Sequence, residues 1–301
     1  MRFYIQQFIR TIMMAVFAVF FLRLHVTGEL ARYVNPKYDG MSQLAAVIFV
    51  FLTFIQFSRI WKSKKDNQAH CSKECSHHHG DDHSFLKKVI SYVILIFPLL
   101  TGFSLPPQTL NSSLAENKGT LLSEGQSLDI VQESDDHQYF PAVENTDKNH
   151  NEKPLPNNNY LQEEAYQKKM KTLEDVHSID MNEDIFSSYY EVIRASPRDF
   201  VGKNITLQGF IYREEGLHSN QLVISRFLIT HCIADASVIG LLTEFEQASS
   251  YEKDTWMEIE GTLDVTTHNG AELPIIKAKR GRVIKEPSNP YIYPVLRKMT
   301  D

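Results

Sequence analysis

The run "MSQLAAVIFVFLTFIQFSRIW" (Met41–Trp61) carries no charge before Arg59, and its reading decides what kind of protein this is. From Met41 to about residue 58 it is apolar enough, and about long enough, to cross a hydrocarbon layer of roughly 30 Å. The competing reading is a buried hairpin of a soluble protein. Two further apolar runs nearby argue against that. "TIMMAVFAVFFL" (Thr11–Leu22), completed by its flanks to about 7–27, has Arg10 and Arg23 placed to snorkel toward the interfaces. "VISYVILIFPLLTGFSLPP", starting at Val89, sets a third span at about 88–105, with Pro98 an expected kink. No small-residue cleavage site follows the first run, so a retained anchor is expected there instead of a removable leader. Residues 1–105 therefore read as a transmembrane region of three α-helical spans in the lipid bilayer.

Orientation follows from the cations. The connection 59–87 carries Arg59, Lys62, Lys64, Lys65, Lys73 and Lys87, whereas the first cation after the third span is Lys118. This places the connection and the N-terminus in the cytoplasm, and everything beyond residue 105 outside. The protein is then a multi-pass cell-membrane protein with an extracytoplasmic C-terminal part. Arg23 and His25 fall at the outer end of the first span, and Gln56 in the second reads as helix-contact glue.

The connection also holds "HCSKECSHHHGDDH" (His70–His83). Its candidate ligands are His70, Cys71, Cys75, His77, His78, His79 and His83, with Asp81 and Asp82 beside them. Imidazole and thiolate suit a transition metal such as zinc. The spacing matches no defined finger, so the signal is one of composition, and a solvated His-rich loop is the plain alternative.

Beyond the spans, residues 106–181 are acidic and breaker-rich, as in "PLPNNNY", and read as a flexible stalk. One helix-forming interruption lies in "NYLQEEAYQKKMKTLEDV" (Asn159–Val176). At Asn182 the texture turns globular. "NEDIFSSYYEVIRASP" spaces Ile185, Tyr189, Val192 and Ile193 as one amphipathic helix that stops before Pro197. Five β-rich runs follow: "GKNITLQGFIYRE", "QLVISRFLIT", "ASVIGLLTEF", "TWMEIEGTLDVTTHNG" and "AELPIIKAKRGRVIKE". A mainly β domain over 182–301, an OB-like barrel with one preceding helix, is the expected fold, with a small β-sandwich as the alternative. The net charge of −6 gives no reason to expect a nucleic-acid partner, and "KAKRGRVIK" reads as a solvated strand face.

"DFVGKNITLQGFIYRE", "ISRFLITHCIADASVIGLL", the terminal "NPYIYP" and the N-terminal "GELARYVNPKYDGMSQLA" together resemble the YcgQ-like family of two-component permease subunits. The likeness covers residues 1 to about 60 and about 183–301. It implies a bacterial membrane protein with a C-terminal domain of unassigned role that accompanies a separate multi-span permease; none of these motifs is an enzyme signature, so no enzymatic activity is expected. It also implies that "THCIADA" is a hallmark in which two adjacent cysteines are expected. Here His231 takes the first position and Cys232 the second, with Asp235 three residues on. His231, Cys232 and Asp235 form a second candidate metal set, while a buried, apolar role for the thiol is the plain alternative. An extracellular thiol enzyme at Cys232 finds no second motif. The expected function is an accessory membrane subunit of a two-component permease, with a metal ion as the first cargo to consider. The alternative is a metal sensor or buffer working through the loop without an obligatory transporter.

Overall fold

The computed structural model describes residues 5–60, 85–104, 109–117, 160–268 and 270–298. The chain forms two compact units, one made of Met1–Leu30 and Tyr38–Gln108, the other of Ala31–Lys37 and Thr109–Asp301.

Among the described residues the first unit holds three α-helices, α1 (Ile5–Thr27), α2 (Asp39–Ile60) and α3 (Phe85–Ser104). Two helical stretches, Gln7–Thr27 and Pro36–Ile60, are long and apolar enough to cross a membrane. The described apolar part of α3 is the shorter Tyr92–Ser104, with Pro98 inside the helix. Burial here is inverted. Phe54 is 69% and Phe97 64% exposed, while Gln56 is only 9% exposed. The Gln56 side-chain amide donates to Gln7 Oε1, a polar bond between α1 and α2 where apolar surroundings favour one. Ala18 and Ala46 are buried, and small residues of this kind let helices approach closely. Phe17 and Phe21 stack on Phe49 at 5.4 and 5.8 Å. Phe20 meets Phe103 edge-on, and a Cβ at Gly102 would lie 2.9 Å from the Phe20 ring, so this glycine makes room for the contact. Thr11 and Thr53 return their hydroxyls to the carbonyls of Gln7 and Phe49, which hides polar groups that would otherwise face apolar surroundings. Arg23 reaches the carbonyl of Phe103 and lies over its ring at 5.6 Å, and His25 Nδ1 stands 3.1 Å from Asp39.

The second unit begins with the short α4 (Ser112–Asn117). It continues through β1 (Tyr160–Gln162), α5 (Glu163–Asp175), β2 (Ser178–Asp180), α6 (Phe186–Ala195), β3 (Asn204–Tyr212), β4 (Gln221–Leu228) and β5 (Ser237–Glu244). It ends with β6 (Trp256–His268), β7 (Ala271–Val283), β8 (Tyr291–Ile292) and β9 (Leu296–Lys298). The five predicted strands are β3 to β7, and the predicted helix is α6. The sheet is larger than expected, with seven strands in the order β2-β3-β6-β7-β5-β4-β8, and β1 and β9 form a separate parallel pair. β4 also pairs back onto β3, Phe210–Tyr212 facing Ser225–Val223, and β5 runs parallel to β7.

The stretch expected to be a stalk carries regular elements where it is described. Residues 109–117 and 160–181 belong to the second unit. α5 is mostly exposed, but it buries Leu173 at 1% exposure, and Lys203 Nζ donates to the carbonyl of Leu173 at its C-terminal end. β2 then pairs with β3 through Ile179, which is also 1% exposed. A polar helix with a single buried residue has little hydrophobic signal, yet it is tied down by the sheet it borders.

β4 and β5 are buried on both faces, which is why their sequences run apolar without strict alternation. One core gathers Ile205, Leu207, Ile224, Ile239, Ile259 and Ile276 beneath α6, whose Phe186, Tyr190 and Ile193 close it. The other gathers Phe210, Phe227, Leu242, Leu273, Tyr291 and Tyr293. The centre of the sheet is tight, since a Cβ at Gly240 would lie 2.7 Å from the carbonyl oxygen of Ile224. The basic run on β7 is matched by carboxylates: Lys277–Glu244 at 2.7 Å, Arg280–Glu260 at 3.7 Å and Arg282–Glu258 at 2.7 Å.

Candidate functional site

The predicted loop ligands His70, Cys71, Cys75, His77, His78, His79 and His83 lie outside the described residues. His231, Cys232 and Asp235 follow β4, in a turn whose last part, Ile233–Asp235, is a single 3-10 turn. Asp235 organises this turn. Its Oδ2 accepts from Thr230 Oγ1 and His231 N–H, both at 2.8 Å, and stands 2.9 Å from His231 Nδ1. Its Oδ1 accepts from Cys232 N–H at 3.0 Å. Partial burial alone would raise the pKa of this carboxyl, but the hydrogen bonds from Thr230, Cys232 and His231 outweigh burial and hold it below the ordinary range. Its oxygens are thus engaged in holding the turn. Among the described residues no group of three or more His, Cys, Asp and Glu side chains is arranged to hold a metal ion.

What the turn does meet is Ala31–Lys37, the segment that joins α1 to α2 in sequence and belongs to the second unit in space. Val34 and Cys232 form an isolated antiparallel bridge. It is flanked by Asn35 N–H donating to the His231 carbonyl and Ile233 N–H donating to the Tyr33 carbonyl, both at 2.8 Å. Asn35 is 4% exposed. Its Nδ2 donates to the carbonyls of Ile229 at 3.1 Å and Thr230 at 2.9 Å, and its Oδ1 accepts from Lys37 N–H at 3.0 Å. Leaving such a buried group without a partner costs about 1–3 kcal/mol, so Asn35 answers several demands at once.

The terminal "NPYIYP" closes the same neighbourhood. Tyr293 is 2% exposed and donates its hydroxyl to the Ala31 carbonyl at 2.9 Å, while the Tyr291 hydroxyl accepts from Leu110 N–H at 3.3 Å. Burial raises the pKa of both phenols, which keeps Tyr293 a donor. Arg226, 2% exposed on β4, fastens the backbone that leads into these tyrosines. Its guanidinium donates to the carbonyls of Pro290 at 3.1 Å and Asn289 at 3.0 Å, meets Glu183 at 3.2 Å, and lies over Trp256 at 5.1 Å. Burial pulls the Arg226 pKa down, with Glu183 opposing. Ser112 is held in turn by Asp254, whose Oδ2 accepts from its hydroxyl at 2.8 Å.

Three segments far apart in the chain, "ARYVNPK", "THCIAD" and "NPYIYP", therefore make one joint. Sequence reasoning singled out parts of each but not Asn35 or Arg226. The available signal was an asparagine before proline in a stretch already noted, and a lone arginine inside an apolar strand.

Comparison with known proteins agrees in extent. Residues 9–121 match the DUF1980 N-terminal domain and residues 156–294 the DUF1980 C-terminal domain. The chain is 32% identical over 296 residues to the UPF0703 protein YcgQ of Bacillus subtilis strain 168, covering 94% of this chain and 98% of that one. It is 26% identical over 296 residues to a protein of Streptococcus mutans serotype c named as a two-component membrane permease complex subunit, covering 95% and 99%. No solved structure matches.

Proposed function

The chain belongs to the DUF1980 family, and from that premise we propose that it is the accessory membrane subunit of a two-component permease, without enzymatic activity of its own. The printed name of the Streptococcus mutans relative supports the permease role. The expected partner is a separate multi-span subunit, met by the apolar helix faces of the first unit.

Three spans are part of this reading, and parity supports them. Ala31–Lys37 and the described residues from Thr109 onward belong to one unit, which on this reading keeps them on one side of the bilayer. If α1 and α2 both cross, an odd number of further crossings must return the chain between Ile60 and Thr109. α3 is the described helix available for it. The cations from Arg59 onward then lie in the cytoplasm and the second unit outside. We read that unit as OB-like, because β3 pairs with β6, β6 with β7, β7 with β5, β5 with β4 and β4 again with β3.

The cargo class to test first is a transition-metal ion, on the ligand chemistry of residues 70–83 alone. Deleting this subunit, its permease partner, or both is expected to leave one and the same change in cellular metal content. Separate or additive phenotypes would sink the subunit reading. Removal of residues 70–83 is expected to weaken a metal response; complete loss of function would favour a sensor or buffer instead.

A further inference from the structure

Several polar groups of the second unit are bonded by the connection between α1 and α2. The carbonyls of Ile229, Thr230 and His231, the N–H of Ile233 and the hydroxyl of Tyr293 are bonded by Ala31, Tyr33 and Asn35. The two backbone bonds flank the facing residues, so Val34 and Cys232 are a non-hydrogen-bonded antiparallel pair. The segment serves the domain as a strand would, in the manner of a peptide added to a sheet, except that the donor is the connection between two apolar helices. We infer that Ala31–Lys37 is an internal latch strand: the C-terminal domain reaches its finished fold only when α1 and α2 have delivered this segment to its side, and Asn35 locks it. Membrane insertion of the hairpin and folding of the domain are then one coupled event. The latch stands whether or not the partner is a permease.

The test uses the full-length protein in its native membrane, with Cys71→Ser and Cys75→Ser leaving Cys232 as the one native thiol, and a protease site placed between residues 61 and 84. Val34→Cys is expected to form a disulfide with Cys232 under mild oxidation, because a non-hydrogen-bonded pair holds its Cα atoms about 4.5 Å apart, within disulfide reach. After cleavage and denaturation the two fragments stay linked until reduced. Adding Asn35→Ala is expected to lower the cross-linked fraction about tenfold and to open the C-terminal domain to proteolysis. No link between Val34→Cys and Cys232, or an Asn35→Ala variant that cross-links and resists protease like its parent, overturns the latch. If Asn35→Ala fails to accumulate, the same variant carrying the Val34→Cys disulfide is expected to restore it; failure of that rescue also overturns the proposal.

Discussion

The two units handle polar groups in opposite ways. In the helical unit the outside is apolar, with Phe54 69% exposed, and the buried Gln56 meets one partner, Gln7. In the β unit the outside carries charge pairs such as Arg282–Glu258, and the buried polar side chains Arg226 and Asn35 are held by several bonds each. On the membrane reading proposed above, the difference reflects the medium. In hydrocarbon an unfolded helix pair still finds local partners, so an interhelical bond is worth little, whereas a group buried from water must recover what water supplied.

That contrast can be broken most sharply at Arg226. Replacing it with Met leaves the Pro290 and Asn289 carbonyls without their donor, while the partly exposed Glu183 can turn to water, so a loss of about 1–3 kcal/mol is expected in denaturant unfolding in detergent. Trp256, which Arg226 covers, would report it by fluorescence in a Trp61→Phe background. A loss under about 1 kcal/mol would mean that the guanidinium is replaceable by packing, as some buried ion pairs are. Next comes Gly240→Ala, where the added methyl meets the backbone of β4. Overpacking of about 1–3 kcal/mol is expected, read as a lowered midpoint without a changed slope.

Gln56→Leu sharpens the other side of the comparison. Its expected cost is about 0.6 kcal/mol, measured by the same unfolding of the helical unit, and a cost matching that of Arg226→Met would remove the contrast altogether. The smallest effect belongs to the turn. The Asp235 carboxyl has a depressed pKa in the folded state, so its contribution is present above its ordinary unfolded value and is lost as pH falls through the lower folded one. With Asp235 partly exposed, solvent screening limits this to less than about 1 kcal/mol. Stability of the parent and of Asp235→Asn, measured from pH 7 downward, should differ most near neutrality and converge in acid. A constant gap would assign the turn's stability to hydrogen bonds that do not depend on the charge.

Much of the fold was legible in the residues. Long uncharged apolar runs mark helices by composition alone, and β3 to β7 announced themselves by β-branched residues between Gly and Asn turns. β1, β2, β8 and β9 did not, because strands of two or three residues are too short to show a period. Within the stretch read as a stalk, the helix-forming interruption at Asn159–Val176 is where α5 lies, tied to the second unit by the buried Leu173 and by Lys203. Of the candidate site, the turn at His231 was visible as a motif, but its role was not. Asp235 resembles a ligand in sequence and acts as a cap in space.

Sequence by itself determined the apolar helices and the order of the main strands, since periodicity and local turn chemistry act over a few neighbouring residues, while "ARYVNPK", "THCIAD" and "NPYIYP" stood out only through the family resemblance. Only the tertiary structure decided that these three meet. Asn35 and Ile229 are 194 residues apart, and a hydrogen bond across that distance leaves no local pattern in either stretch. It exists because the folded β4 leaves carbonyls that must be answered, and the connection between α1 and α2 is what the fold brings to answer them.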